Sequence, residues 1–396
     1  MNNERCRTRT DLLSKLPLRS FQLKNFKAVR DSRPVKFGAL TVFIGNNGSG
    51  KSSLIEGLET YCDVVIDGVD QAFEKWLGLD HVWNKAVQHR QRATNDQGDF
   101  YENPIFFKLT GHIGRGAFKS VLEVGMEVAK NQTRIEREFL QLPSGQTYTR
   151  DSTGRCESFS DEKRDRARTV AKNESVAPQD WINHLRRWQF LRLSPELMRQ
   201  PTRTHSTGEF PRLARDGSNI GQYLLSLQDS SLDAYDDLLE AMRFVIPYAR
   251  DLQTTVSDAI EQHAYLEMTE VEFKVPGWLL STGTLRILAL LSCLRHPDPP
   301  PLLVVEQIEN GLDPRTLHLV VEEIRAAITA GTTQVILTTH SPYLLDLLDL
   351  SHIVVVEREE GQPVFRRPDA EQLSDWSKSF SPGRLYTMGR LTRGDR

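Results

Sequence analysis

Apolar and polar positions fall into distinct periodicities along the chain. Residues 18–24 (LRSFQLK) alternate as a half-buried strand does, Asn25 and Phe26 turn the chain, and VKFGALTVFIG carries it into a second, continuously apolar strand. Ser52 to Val65 then sets Leu54, Ile55, Leu58, Tyr61 and Val65 at helical spacing, and a second helical pattern follows Gly68 over Ala72 to Val87. Between 104 and 150 the period drops to two in PIFFKLTGHI, KSVLEVGMEV and RIEREFLQL, with Gly114, Gly116, Asn131 and Pro143-Ser144-Gly145 as breaks, which predicts an antiparallel sheet. Residues 150–178 turn to Arg, Asp, Ser and Glu and read as a polar connector. An apolar stripe at 181–194 predicts helix into strand, 195–262 reads as mostly helical with Ser218 or Asn219 capping DGSNIGQYLLSLQ, and 264–274 alternates as a strand. A second αβ half covers 279–366, with short strands at 302–305, 334–338 and 353–356.

The apolar strand before Gly45 is followed by Asn46, Asn47, Gly48, Ser49, Gly50, Lys51, Ser52 and Ser53. This is the G-x-x-x-x-G-K-[ST] spacing, in which glycines let backbone N–H groups wrap phosphate oxygens and a new helix points its positive end at them. Lys51 would neutralise the β- and γ-phosphates of a nucleoside triphosphate, and the Ser52 hydroxyl would complete the oxygen shell of Mg²⁺. PLLVVEQIENGLDP (301–314) is an apolar strand ending in a carboxylate, which makes Glu306 the metal-side acid, since a buried strand needs a reason to end in a charge. Glu309 is either structural or a secondary metal-site contact. At 307, where hydrolysis calls for a general base, stands Gln307, which cannot take a proton. Hydrolysis is therefore expected to be impaired, either because the protein turns over slowly by nature or because a Glu-to-Gln change was made to trap nucleotide.

Two further stretches offer groups to an anion. LSTGTLRILALL (280–291) opens an apolar helix with Ser281, Thr282 and Gly283 at its mouth. QVILTTHSPYLLDLL (334–348) ends a strand at His340, where a neutral imidazole could hydrogen-bond the γ-phosphate or the attacking water.

Composition narrows the class. A chain of 396 residues can bury a large core, and a net charge of −3 leaves no global footprint for nucleic acid. Four cysteines (Cys6, Cys62, Cys156, Cys293) with no C-x-x-C pair suit free thiols in a reducing compartment. No apolar run reaches membrane-spanning length and MNNERCRTRT has no signal-peptide stretch, so a cytoplasmic protein is expected.

Taken together these stretches resemble the ABC-type AAA ATPases of the SMC/RecF-like and overcoming-lysogenisation-defect class, over residues 17 to 391. LKNFKAV with LTVFIGNNGSGKSSLIEGLE matches that family's opening and DGSNI its helical-insertion motif. LSTGTLRILALL looks like its signature loop, EQIENGLDP is similar to its Walker B and D-loop, and TTHSPYLLDLL resembles its switch-histidine segment. The resemblance implies an α/β fold, a P-loop ABC-ATPase head with an antiparallel β subdomain and a helical insertion. Its lobes would be 17–150 with the P-loop, a connector at 151–180, a helical insertion at 181–275, and 276–396 with signature, Walker B, D-loop and switch histidine. It further implies a homodimer around two ATP molecules, with Ser281 and Gly283 of one subunit capping the γ-phosphate held by Lys51 of the other, and Asp313 as the D-loop acid. Gln189 is the candidate Q-loop residue linking metal to the helical lobe, and Lys27 and Arg30 are candidate nucleotide contacts. The family usually has an acid where Gln307 stands.

No acidic cluster suited to a two-metal nuclease and no long heptad run follows or interrupts these motifs, so a stand-alone head is expected. Relatives of that kind serve bacterial anti-phage or toxin–antitoxin-like systems beside a separate effector, a nuclease or toxin. The competing reading is a repair ATPase that grips duplex DNA through Arg164 to Arg168, Arg186-Arg187 or Arg199 to Arg203. A third, a transporter's nucleotide-binding subunit, sits poorly with the long insertion.

Overall fold

The period-two runs near the N terminus become the antiparallel strands they predict. In the computed structural model residues 15–87, 91–92, 100–101, 103–127, 132–150, 179–203, 212–256, 263–270, 272–369 and 371–391 are described. Residues 151–178, nearly all of the expected polar connector, lie outside them. The chain divides into one unit of Met1–Trp188 with His352–Pro368 and another of Gln189–Ser351 with Asp369–Arg396.

In the first unit β1 (Ser20–Phe26) buries Phe21, Leu23 and Phe26, and Asn25, one residue before its end, takes a left-handed φ of 60°. β2 (Leu40–Ile44) leads into α1 (Lys51–Asp67). β3 (Ile105–Ile113), β4 (Gly116–Glu127), β5 (Gln132–Gln141) and β6 (Thr147–Arg150) follow, and the sheet order is β6-β5-β4-β3-β1, antiparallel throughout. α1 lies on its apolar face, where Tyr61 is hydrogen-bonded to Ser120 at 2.5 Å and its ring is 5.9 Å from that of Phe107. Each such fully buried large side chain contributes about 1.5–3 kcal/mol. β2 is buried at every position, which is why it reads as a continuous apolar run. It runs parallel to the strand Ile353–Glu359, which pairs antiparallel with Gln362–Arg366. α2 (Gln179–Arg186) closes the unit with Trp181, Ile182 and Leu185 buried.

The expected helix at 72–87 is instead two short helices, Val69–Glu74 and Leu79–Val82, because Gly78 at φ 114° breaks the helical run between them.

The second unit runs β7 (Gln189–Leu191), α3 (Ile220–Ser230), α4 (Leu232–Val245), β8 (Ala249–Val256), β9 (His263–Glu270), β10 (Phe273–Pro276), α5 (Thr282–Leu294), β11 (Leu302–Val305), α6 (Pro314–Ala330) and β12 (Gln334–Thr339). β7, β11 and β12 are parallel neighbours, with Leu191 beside Val305 and Val305 beside Leu337. β8 corrects the expectation of a mostly helical 195–262. It pairs with β9 from Ala249 to Val256, and Leu252 is its single buried side chain, so no two-residue apolar period marked it. The strand expected over 264–274 is a hairpin, β9 turning back into β10. Parallel strands with flanking helices, an antiparallel β subdomain and inserted helices α3 and α4 make this the expected α/β class.

Candidate nucleotide-binding site

In the first unit the turn from β2 to α1 exposes Asn46, Asn47 and Gly48 and buries Gly45, Ser49 and Gly50. Ser49 N–H donates to Asn46 O at 3.1 Å, and Leu54 N–H to Gly50 O at 3.2 Å begins the helical ladder. Gly50 has φ 111°, and a Cβ there would stand 2.4 Å from Pro363 Cγ, so no other residue fits. The N–H groups of the first turn have no intrahelical acceptor, which leaves an anion-binding helix end. Lys51, 6% exposed, donates to Gly45 O at 2.7 Å and Asn46 O at 3.1 Å, so its ammonium lies over the loop. Ser52 is exposed on the first turn and Ser53 half-buried. Arg358, which sequence reasoning missed, donates from Nε to Gly48 O at 2.7 Å and ties down the crest. No local signal could have found it. Lys27 pairs with Glu56 at 2.7 Å and sits 3.4 Å from the Trp76 ring centroid, a structural use of the charge, while Arg30 is exposed.

The second unit gathers Gln189, Ser281, Gly283, Glu306, Gln307, Glu309, Asp313 and His340. Four buried residues of β11 deliver Glu306, itself 6% exposed, whose N–H donates to Leu191 O at 2.9 Å. Gln307 is exposed with φ 52°, left-handed for a residue other than glycine, a conformation that costs roughly 1–2 kcal/mol. Its N–H donates to Thr338 Oγ1 at 2.9 Å and its Oε1 accepts from Asn310 at 2.8 Å. Glu309 accepts the His340 N–H at 2.6 Å, a bond that joins the acid turn to the end of β12. Asp313 caps α6 by accepting from the N–H groups of Arg315 and Thr316 at 2.9 and 3.2 Å. The Thr316 hydroxyl, then these N–H groups, hold its carboxyl below the usual carboxylate range.

Ser281 caps α5, accepting from Thr284 N–H at 3.0 Å. Ser281 and Thr282 are exposed, whereas α5 beyond them is buried from Ile287 to Leu294. A Cβ on Gly283 would stand 2.6 Å from Gly311 O, so the glycine lets the acid turn lie against the mouth of α5. Gln189 donates to Leu213 O at 2.8 Å. Arg199 donates to Leu280 O at 2.9 Å, and Arg186, Arg187 and Arg203 are exposed; Arg164 to Arg168 lie outside the described residues. A cleft of about 280 Å³ is lined by Arg192, Ser194, Arg286, Glu306, Gln307 and Asn310. Burial holds Arg286 below the ordinary arginine range, opposed by Glu196 and Glu309.

One more residue was not anticipated. Arg215 Nη2 lies 3.1 Å from Glu306 Oε1, an ion pair between residues 91 apart in sequence.

Glu306, a buried carboxylate at the end of β11, is a hard oxygen donor of the kind Mg²⁺ takes. Among the described residues no group of three or more His, Cys, Asp or Glu could hold a metal ion, and Mg²⁺ characteristically takes one carboxylate, a hydroxyl, water and phosphate oxygens. Cys62 and Cys293 are buried free thiols, the latter pushed up to about 12 by burial. No described helix is long and apolar enough to cross a membrane.

The curated Nod factor export ATP-binding protein I of Rhizobium etli is 33% identical over 131 residues, 33% of this chain and 38% of the relative. Its namesake in Sinorhizobium fredii is 30% identical over 156 residues, 38% of this chain and 43% of the relative. The chain thus spans less than half the length of these relatives. Among solved structures, the SMC head domain from Thermotoga maritima aligns at 13% identity and a TM-score of 0.44, over 89% of this chain and 99% of that one. An SmcHead bound to the C-winged helix domain of ScpA aligns at 12% and 0.48, over 90% and 99%. The family described as "AAA domain, putative AbiEii toxin, Type IV TA system" matches residues 40–346, from the start of β2 past His340. With residues 45–52, 281–294 and 302–306 all inside that match, the chain belongs to this AAA-domain family, of the ABC/AAA ATPase class.

Proposed function

We propose that this chain is the ATPase subunit of a bacterial anti-phage or toxin–antitoxin-like system of the overcoming-lysogenisation-defect type, dimerising on ATP to gate a separate nuclease or toxin. The observation that carries this reading is the exposure of Ser281 and Thr282 at the mouth of an otherwise buried helix, which suits a loop that reaches a second copy's nucleotide. Lys51 would hold the β- and γ-phosphates, Ser52 and Glu306 would hold Mg²⁺, and Gln189 would relay metal occupancy to the helical lobe. Bound Mg²⁺ would neutralise charge on the phosphates and polarise the γ-phosphoryl group. Ser281 and Gly283 would cap the partner copy's γ-phosphate, Asp313 would pass between the sites, and His340 would hydrogen-bond the γ-phosphate or the attacking water. The family description supports the toxin-related setting.

Gln307 holds the position from which a base would polarise water. Without that base, hydrolysis should be slower by about 10²- to 10⁴-fold, roughly 3–5 kcal/mol in the barrier. The test is solution mass with and without ATP and Mg²⁺, for this chain and for Gln307→Glu. This chain should remain dimeric in ATP, while Gln307→Glu should hydrolyse it and return to its nucleotide-free assembly. Equal turnover by both would remove Gln307 from the mechanism, and a mass indifferent to nucleotide would remove the dimer. Salt-dependent duplex binding by the purified chain alone would favour the repair reading instead.

A further inference from the structure

Glu306 closes an apolar strand and is almost wholly buried, where a carboxylate without a partner would carry a large desolvation cost. Its partner is Arg215 at 3.1 Å. This is more than a long side chain settling on an acid, because the backbone beside Arg215 is held on both sides. Arg215 O accepts from Arg192 N–H at 2.7 Å and Asp216 O from Ser194 N–H at 2.9 Å, extending the chain beyond β7. Asn219 accepts from Ala214 N–H at 2.6 Å and donates to Arg212 O at 2.7 Å; Asp216 accepts from Ser218 N–H at 2.9 Å. The DGSN stretch is therefore a brace that aims the guanidinium at Glu306, immediately before α3 begins.

A divalent cation and a guanidinium against one carboxylate repel each other, so each weakens the other's hold on Glu306. Arg192 and Arg286, which line the same cleft, add to the positive charge that a metal would meet. The geometry points to Arg215 as the built-in counter-ion of the metal acid: it neutralises Glu306 until Mg²⁺ with nucleotide displaces it. The inference rests on the reading of Glu306 as the metal-side acid.

The test titrates Mg²⁺ while following retention of a fluorescent ATP analogue by the full chain and by Arg215→Met, Arg215→Lys, Glu306→Gln and the Arg215→Met/Glu306→Gln double variant. Methionine keeps the aliphatic bulk and removes the charge. Arg215→Met should lower the Mg²⁺ concentration at half-maximal retention by about tenfold to hundredfold, the size of one charge-assisted hydrogen bond, with Arg215→Lys in between. Melting without Mg²⁺ or nucleotide is the second readout: Arg215→Met should melt lower than the parent, and the double variant should recover, because the pair rather than either residue is what matters. An unchanged or raised Mg²⁺ requirement in Arg215→Met and Arg215→Lys, alongside a lost Mg²⁺ response in Glu306→Gln, would overturn the counter-ion role and leave Glu306 as the metal acid. A full Mg²⁺ response in Glu306→Gln would overturn both. If Arg215→Met fails to fold, Arg215→Lys and the double variant still decide the point.

Discussion

Gly283→Ala tests the packing at the mouth of α5. The added methyl carbon would stand 2.6 Å from Gly311 O, and ordinary contact begins near 3.4 Å, so the two backbones must separate by about 0.8 Å (3.4 − 2.6). A carbonyl oxygen cannot rotate away as a side chain would. Gly311 is fixed in a turn closed by Asn310 N–H to Gln307 O and Leu312 N–H to Glu309 O, both 3.1 Å, and Gly311 itself has φ 71°. α5 is anchored by its buried length. The whole turn from Gln307 to Asp313 must therefore shift, at about 1–3 kcal/mol for an overpacked contact. For a unit of this size that corresponds to roughly 2–4 °C per kcal/mol in melting temperature. Circular dichroism melting measures the loss, and metal-free binding of a fluorescent ATP analogue measures the phosphate loop. Gly283→Ala should melt several degrees lower, bind the metal-free analogue like the parent, and lose the ATP-dependent dimer. Ser281→Ala is the comparison, since it removes a cap worth about 1 kcal/mol and leaves the turn where it is. A Gly283→Ala chain that melts with the parent would refute the steric reasoning, whatever happened to the dimer.

Two further expectations concern stability. Burial, aided by the Arg187 charge, pushes the His184 imidazole down from 6.5 to about 4. Above pH 6.5 both folded and unfolded chains carry it neutral; as pH falls below 6.5 the unfolded chain binds a proton the folded one refuses, so stability drops until about pH 4, by at most about 3 kcal/mol. Urea midpoints between pH 7.5 and 4.5 should fall less steeply in His184→Phe, and an unchanged acid slope would show that other groups govern it. Asn219→Ala removes the bonds to Ala214 and Arg212, should cost about 1–3 kcal/mol by urea titration, and should shift the Mg²⁺ requirement in the same direction as Arg215→Met. A destabilised Asn219→Ala chain with an unaltered Mg²⁺ requirement would show that the brace does not aim Arg215.

Much of the candidate site was legible in the residue order, for a local reason. A buried strand, a glycine turn and a helix opening on Lys51 occupy contiguous residues, so the candidate phosphate loop is written in one short stretch. Glu306 could be picked out in the same way, as a charge at the end of four buried residues. Ser281 and Asp313 stand just ahead of their helices, where caps belong. β8 was not legible because only one of its side chains is buried, and the Ala72–Val87 helix failed because Gly78 breaks a pattern that apolar spacing alone still permits.

By itself, the order of residues determined the candidate chemistry: which turn has the spacing of a phosphate loop, which strand ends in an acid, and where an amide, Gln307, follows that acid. Only the tertiary structure decided what stands beside those groups. Arg215 meets Glu306 across 91 residues and Arg358 meets Gly48 across 310, and the backbone of Gly311 explains why a side chain at position 283 would force the acid turn to move. The physical reason is that strand, turn and cap preferences arise within a few consecutive residues, whereas partners far apart in the chain are set by how strands align and how loops are braced once folded.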